Sequence, residues 1–183
     1  DALPIFGRRA GSELRYIRDV GQQIEKFATP VKNAAAKAKN KSTLYPTAKT
    51  NTLADQLKIV AQLIAGGLKT KIYIVTQSGY DTHSYQTTGG AGSPVPHGTL
   101  LEQLSQAIEA FQDDIKLLGV QDKVLGMTFS EFGRRIKSNS SGGTDHGAAA
   151  PVFLFGTSVK SGVLGSNPTI PDAPTSEDNV PMQ

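Results

Sequence analysis

A chain of 183 residues, 38% hydrophobic and 19% charged, can bury the core of one domain and has the balance of an ordinary globular protein. Its formal charge of +3 is small, and its lysines are densest between Lys32 and Lys49 and form no stripe interleaved with aromatics, which argues against nucleic acid as a partner. The absence of cysteine excludes disulfides and thiolate metal sites, and no apolar run approaches the roughly 20 residues needed to span a bilayer.

The chain opens on Asp1-Ala-Leu-Pro4 and closes on Asn179-Val-Pro-Met-Gln183. Neither resembles a natural terminus, so a fragment is expected, and the first residues carry no apolar signal-peptide core. After a loop with Pro4 and Gly7-Arg8-Arg9, Ser12 is the expected cap of a helix whose Leu14, Ile17, Ile24 and Phe27 recur at helical spacing. Gly21 weakens this helix and Pro30 is expected to end or kink it. Residues 28–51 then read as a surface excursion, with the Ala, Lys and Asn of 31–41 offering little to bury.

Thr52 begins a stronger helix, with Leu53, Leu57, Val60, Leu63, Ile64 and Leu68 on one side and Gly66-Gly67 near its end. A strand, Lys71–Thr76, follows, and it empties into a polar loop holding Asp81 and His83. The glycines and prolines of 89–96 are expected to form a lid or wall over the strand ends, leading to His97. The clearest helix is Thr99–Leu118, where Leu101, Leu104, Ile108, Phe111, Ile115 and Leu118 recur by threes and fours before Gly119. A second strand, Lys123–Phe129, leads into Ser130-Glu-Phe-Gly-Arg134-Arg135, and a third, Pro151–Gly156, follows Asp145-His146-Gly147. Residues 166–183 read as an irregular tail. Strands alternating with helices predict an α/β fold over 1–183 as a single domain, with a mainly parallel sheet flanked by helices.

In such sheets ligands bind beyond the carboxyl ends of the strands, which is where Asp81, His83 and Glu131 would lie. The pairs Asp81–His83 and Asp145–His146, with Glu131, form a nitrogen and oxygen donor set without thiolate. It suits zinc first, with manganese, iron, magnesium or calcium as alternatives. Each residue also has a plainer role: Asp81 can cap a turn, Glu131 can pair with Arg134 or Arg135, and His97 can cap its helix. On the functional side, Arg134 or Arg135 would grip an anionic oxygen, and His97 would join the substrate side of the site. A Ser-His-Asp hydrolase is the nearest alternative chemistry, but neither Ser78 nor Ser130 sits in a Gly-x-Ser-x-Gly elbow. Gly89–Gly92 lacks the Gly-Lys-Ser/Thr of a phosphate loop.

Four stretches in order, Gly79-Tyr-Asp-Thr-His83, Leu101–Phe111, Thr128-Phe-Ser-Glu-Phe-Gly-Arg-Arg135 and Gly143-Thr-Asp-His-Gly147, resemble the DUF1501 family. So do Gly7–Arg15 and Ala54–Ala61, which extends the likeness over nearly the whole chain. That family looks like a branch of the alkaline phosphatase and sulfatase superfamily, which implies an alkaline phosphatase-like fold. It also implies one or two divalent metals and a small anionic ester, phosphate or sulfate, as substrate. By this resemblance Asp81 and His83 are metal ligands leaving a central strand, and His146 is the late histidine before a Val-Phe strand. Asp145 is an added candidate ligand. Ser130-Glu-Phe-Gly133 looks like the superfamily's Ser-Asp-His-Gly, with glutamate for aspartate and phenylalanine for histidine. The resemblance places the nucleophile, a first-strand aspartate and an export signal upstream, and a final helix downstream. The expectation is therefore the metal-binding, carboxy-terminal portion of an exported, periplasmic hydrolase, inactive alone. The alternative is a non-catalytic binding or assembly protein for carbohydrate or protein.

Overall fold

The computed structural model describes residues 8–91, 94–166 and 169–175, with side chains from residue 11 onward. The expected loop at Pro4–Gly7, Gly92-Ser93 of the glycine-rich stretch, Pro168 and the end of the tail lie outside the described residues. Among the described residues three helices, α1 (Arg8–Lys37), α2 (Thr52–Ala65) and α3 (His97–Leu117), precede four two-residue strands. These are β1 (Gly126–Met127), β2 (Gly133–Arg134), β3 (His146–Gly147) and β4 (Leu154–Phe155).

Helices α2 and α3 make the core. Leu53, Ala54, Leu57, Val60 and Ala61 of α2 pack on Ala107, Phe111 and Ile115 of α3, with Val120 closing the end. The start of α2 is fixed by Asn51, whose side chain accepts from the Ala54 amide at 3.1 Å. Both helices stop in the same way: Gly67 (φ 82°) and Gly119 (φ 71°) take the left-handed conformation. The amides that follow return to the helix, Leu68 to the Leu63 carbonyl and Val120 to the Ile115 carbonyl.

Helix α1 departs from expectation. It runs through Pro30 to Lys37, and Ser12 lies inside it instead of at its cap. The proline removes one interior hydrogen bond, but the alanine-rich turn beyond it has enough helix propensity to continue. The far end of α1 meets the body, where Ala34 is buried against Gly66 and a side chain at Gly66 would collide with the Ala34 carbonyl. Leu14, Ile17, Ile24 and Phe27 stay exposed.

Within residues 28–51 the chain is tied down by one buried carboxylate. Asp114, fully buried on α3, accepts from the Asn40 amide (2.6 Å), the Lys41 and Ser42 backbone amides (2.7 and 3.0 Å) and the Tyr45 hydroxyl (3.2 Å). Burial, then the Asp114 charge, pushes the Tyr45 phenol well above its ordinary range, so it remains a donor.

The fold mixes helix with small antiparallel sheets, and the mainly parallel sheet expected from sequence is not formed among the described residues. β1 pairs antiparallel with β4, and β2 pairs antiparallel with β3. The physical reason lies in the connections. A parallel pair needs a crossover, whereas the loop between β2 and β3 simply turns the chain back on itself. Lys71–Thr76, expected as the central strand, forms no strand and joins no ladder among the described residues. The Gln56 side chain of α2 takes both backbone groups of Thr76, at 3.1 and 2.8 Å, in place of a neighbouring strand. Its alternation is nevertheless strand-like: Tyr73 and Val75 pack on the core, while Ile72 (77% exposed) and Ile74 (73%) face out.

Replacing Asp114 with alanine would leave two backbone amides, an amide group and a phenol without their acceptor. The expected cost is about 3 kcal/mol or more, read as a lower urea midpoint at unchanged slope. Glu109→Ala, on the exposed side of the same helix, should change stability by less than about 0.5 kcal/mol.

Candidate metal centre

The Asp81–His83 loop is anchored through the residue between its two polar side chains. Thr82 is fully buried, and its backbone amide donates to the Tyr80 carbonyl at 2.9 Å, so Asp81 and His83 on either side are turned outward. Upstream, the Gln77 amide and the Tyr80 hydroxyl both reach the Leu100 carbonyl, at 2.9 and 3.2 Å, and pin the loop to the first turn of α3. Gly79 (φ 101°) makes the turn against the Leu100 side chain.

Downstream, residues 84–86 run beside residues 141–142. Ser84 bridges Gly142, and the amides of Tyr85 and Gln86 donate to the carbonyls of Ser141 and Gly142. Gly143 lies so close to the His83 backbone that any Cβ there would collide with it. This contact delivers Asp145 and His146 to the Asp81 loop.

The second delivery is made by the β2–β3 ladder, in which Arg134 stands opposite His146. Opposite residues in an antiparallel pair share a face, so the guanidinium and the imidazole come to the same side. Gly147 and Gly133 allow the close approach, since a Cβ on either would strike the backbone of Arg134 or Ala149. Arg134 then donates to two carbonyls, that of Tyr80 and that of Thr144, one on each loop.

These supports bring together three side chains from two distant segments of the sequence, Asp81 and His83 from one loop and His146 from another. His146 Nε2 lies 2.7 Å from Asp81 Oδ1, and His83 Nε2 lies 3.2 Å from the same oxygen. The two imidazole rings are 4.7 Å apart, and one ligand atom from each of Asp81, His83 and His146 falls within 4.8 Å of the others. All three residues are exposed. Phe132 stacks on the His146 ring at 3.9 Å with 8° between planes, and the Arg134 guanidinium lies over its ring at 5.0 Å.

The other sequence candidates take different places. Asp145 Oδ1 sits 3.1 Å from His83 Nδ1, behind the ring instead of beside the other two Nε2 atoms. Glu131 is exposed before β2 and is not part of the three-residue group. Arg135 Nε donates to the His146 carbonyl at 3.3 Å. His97 opens α3, its ring edge-on to Tyr80 at 5.6 Å, and its buried Nδ1 has no hydrogen-bond partner among the described residues. Four contributors escaped the sequence reading: Thr82, Asn139, Gly143 and the bracing role of Arg134. The glycines around Asp145-His146 were the one visible signal.

Electrostatics follow from these contacts. The hydrogen bond from His146, supported by the His83 and Arg134 charges, holds the Asp81 carboxyl below the usual range. Asp145 is held down first by its hydrogen bond from Asn139 and then by that from His83. Burial, then Arg134, keeps His97 below the ordinary imidazole value, so it is neutral at neutral pH.

The donor set passes a test of fit. Two imidazole nitrogens and a carboxylate oxygen are a common three-residue set for a catalytic zinc ion, which keeps a further position open. Bonds of about 2.1 Å in a tetrahedron separate ligand atoms by about 3.4 Å. The two carboxylate–imidazole separations of 3.2 and 2.7 Å need a small opening, and the third pair of ligand atoms, within 4.8 Å of each other, is brought to the tetrahedral spacing by rotation of the exposed rings.

A sequence model of the family described as a protein of unknown function, DUF1501, matches residues 18–182. No curated protein and no solved structure matches the chain.

Asp81 and Asp145 have depressed folded pKa values, so the stabilisation they give is present above the ordinary carboxylate value of about 3.9 and is lost as pH falls through the lower folded values. The ring-to-ring NOE between His83 and His146 should therefore persist in acid down to about pH 4 and vanish below it. Its disappearance already near pH 6 would show that these carboxylates do not hold the rings together.

Proposed function

The chain belongs to the DUF1501 family, and on that premise we propose that Asp81, His83 and His146 hold a divalent cation, zinc first, in an exported hydrolase of phosphate or sulfate esters with an alkaline phosphatase-like relationship. The observation that carries this reading is the meeting of two Nε2 atoms on one carboxylate, with Asp81 and His146 65 residues apart in sequence. Imidazoles gathered around an exposed carboxylate by buried supports are what a cation site requires, and a surface ion pair requires none of that support.

When bound, such a cation supplies Lewis acidity toward an ester oxygen. The chain's own residues set up the rest. Arg134 stands 3.8 Å from Asp81 and is only 17% exposed, so its charge acts at short range on an anion entering the site. Arg135, anchored to the His146 carbonyl, brings a second positive charge to the same rim. Neutral His97 can accept a proton or hold a hydroxyl on the substrate side. Phe132 occupies the place where the superfamily pattern has a histidine, and its stacked ring walls one side of the His146 imidazole instead of ligating. The reading therefore takes one cation here, not two.

Calorimetric titration of the chelator-treated chain with zinc or manganese should show near-stoichiometric binding that weakens in acid, because imidazoles must give up their protons to bind metal. Asp81→Ala, His83→Ala and His146→Ala should each weaken it by more than about 100-fold. A chain that stays metal-free in supplemented buffer sinks the hydrolase reading and leaves the binding or assembly protein.

A further inference from the structure

We propose that Asn139 and Asp145 are positioning residues for this site, locking the His83 imidazole in the tautomer that carries its proton on Nδ1 and turns an Nε2 lone pair toward Asp81 and His146; the assignment rests on the cation reading above.

The geometry is a chain of contacts with Asn139 at its root. Asn139 Nδ2 donates to the His83 carbonyl at 2.8 Å and to Asp145 Oδ1 at 3.1 Å. The same Asp145 oxygen lies 3.1 Å from His83 Nδ1. An ionised carboxylate can only accept, so this contact requires a hydrogen on Nδ1. A neutral imidazole has one ring hydrogen, and only the Nδ1 contact has hydrogen-bond geometry, whereas Nε2 stands 3.2 Å from Asp81 at ion-pair distance alone, which leaves Nε2 as the lone-pair atom on the side of Asp81 and His146.

Asn139 is held in turn by both its own ends. Its Oδ1 accepts from the Ser141 and Gly143 amides at 3.0 and 3.1 Å, and its backbone amide donates to the Gly143 carbonyl at 2.8 Å. Every hydrogen-bonding position of that side-chain amide is thereby engaged: two donors toward His83 and Asp145, two acceptances from the turn. Only an amide offers both sets. Aspartate would keep the turn and lose the two donors; alanine would lose all of it. The same residue that fixes the His83 main chain also aims the carboxylate behind the His83 ring. Asp145 is therefore distinguished from the three residues whose ligand atoms face one another.

The test uses the full chain and two readouts. In the chelator-treated protein, long-range nitrogen–proton NMR correlations of the neutral His83 ring should show the Nδ1–H tautomer in the wild type and in Asp145→Asn, whose amide oxygen still accepts. They should show a mixture in Asp145→Ala and Asn139→Asp. Zinc affinity should fall by about 10–100-fold in Asp145→Ala and Asn139→Asp, and by less than about tenfold in Asp145→Asn. A wild-type His83 protonated on Nε2 overturns the proposal, as does an Asp145→Ala affinity within about twofold of wild type. If Asp145→Asn loses as much as Asp145→Ala, the carboxylate is itself a ligand and the positioning role is wrong. If Asn139→Asp leaves the tautomer and affinity intact, Asn139 serves the turn alone, which also overturns it. A wild type that binds no zinc removes the cation reading, and the tautomer measurement still decides the positioning one.

Discussion

The arrangement at the candidate centre depends on the fork of Arg134. One guanidinium donates to the Tyr80 carbonyl and to the Thr144 carbonyl, each lying just upstream of a ligand-bearing position. The two loops therefore keep one spacing, and Asp81 and His146 are set by main chain that cannot separate without leaving a partly buried cation unsatisfied. Burial slightly disfavours the charged form of Arg134, and the nearby Asp81 and Asp145 charges oppose that tendency. A lysine would bring the charge without the planar spread of donors that spans both carbonyls.

That brace would be useless on a soft base, and the base is the α2–α3 pair. Its apolar seam is continuous, and each helix is stopped by a glycine in the left-handed conformation, so the segments leaving them start from fixed points. The Gln77 and Tyr80 side chains bond to the first turn of α3, which makes the Asp81 loop an extension of the helical core. Asp114 does the same at the other end of α3 for residues 40–45. Two polar anchors on one helix thus organise the irregular half of the chain.

What could be read from sequence was what periodicity and local chemistry encode. The spacing of Leu53, Leu57, Val60 and Leu63 gave α2, that of Leu104, Phe111 and Ile115 gave α3, and glycine marked both ends. The pairs Asp81–His83 and Asp145–His146 stood out because carboxylate and imidazole neighbour each other in polar loops. Strand partnership was not legible: the β-branched run Lys71–Thr76 says that the chain is extended, not what lies beside it, and here Gln56 takes its last backbone groups. Nor was the sorting of ligands from supports, because Asp81 and Asp145 are chemically the same and differ only in which imidazole nitrogen they meet. Asn139 was hidden for a related reason, since it reads as one more loop residue in a Ser/Asn/Gly stretch.

Exposure of Asp81, His83 and His146 is compatible with order because order comes from behind them. Thr82 and Gly143 are buried and Arg134 largely so, while the side chains they position stand at the surface. A surface carboxylate and two surface imidazoles would ordinarily lose rotamer entropy for little electrostatic return in water. Here the main chain of both loops is fixed by hydrogen bonds and close backbone contacts, and Phe132 and Asp145 restrict the two rings by stacking and by hydrogen bonding. The entropy lost in bringing the donors together is thus met largely by folding, which leaves a ligand arriving at the site to supply only the attraction.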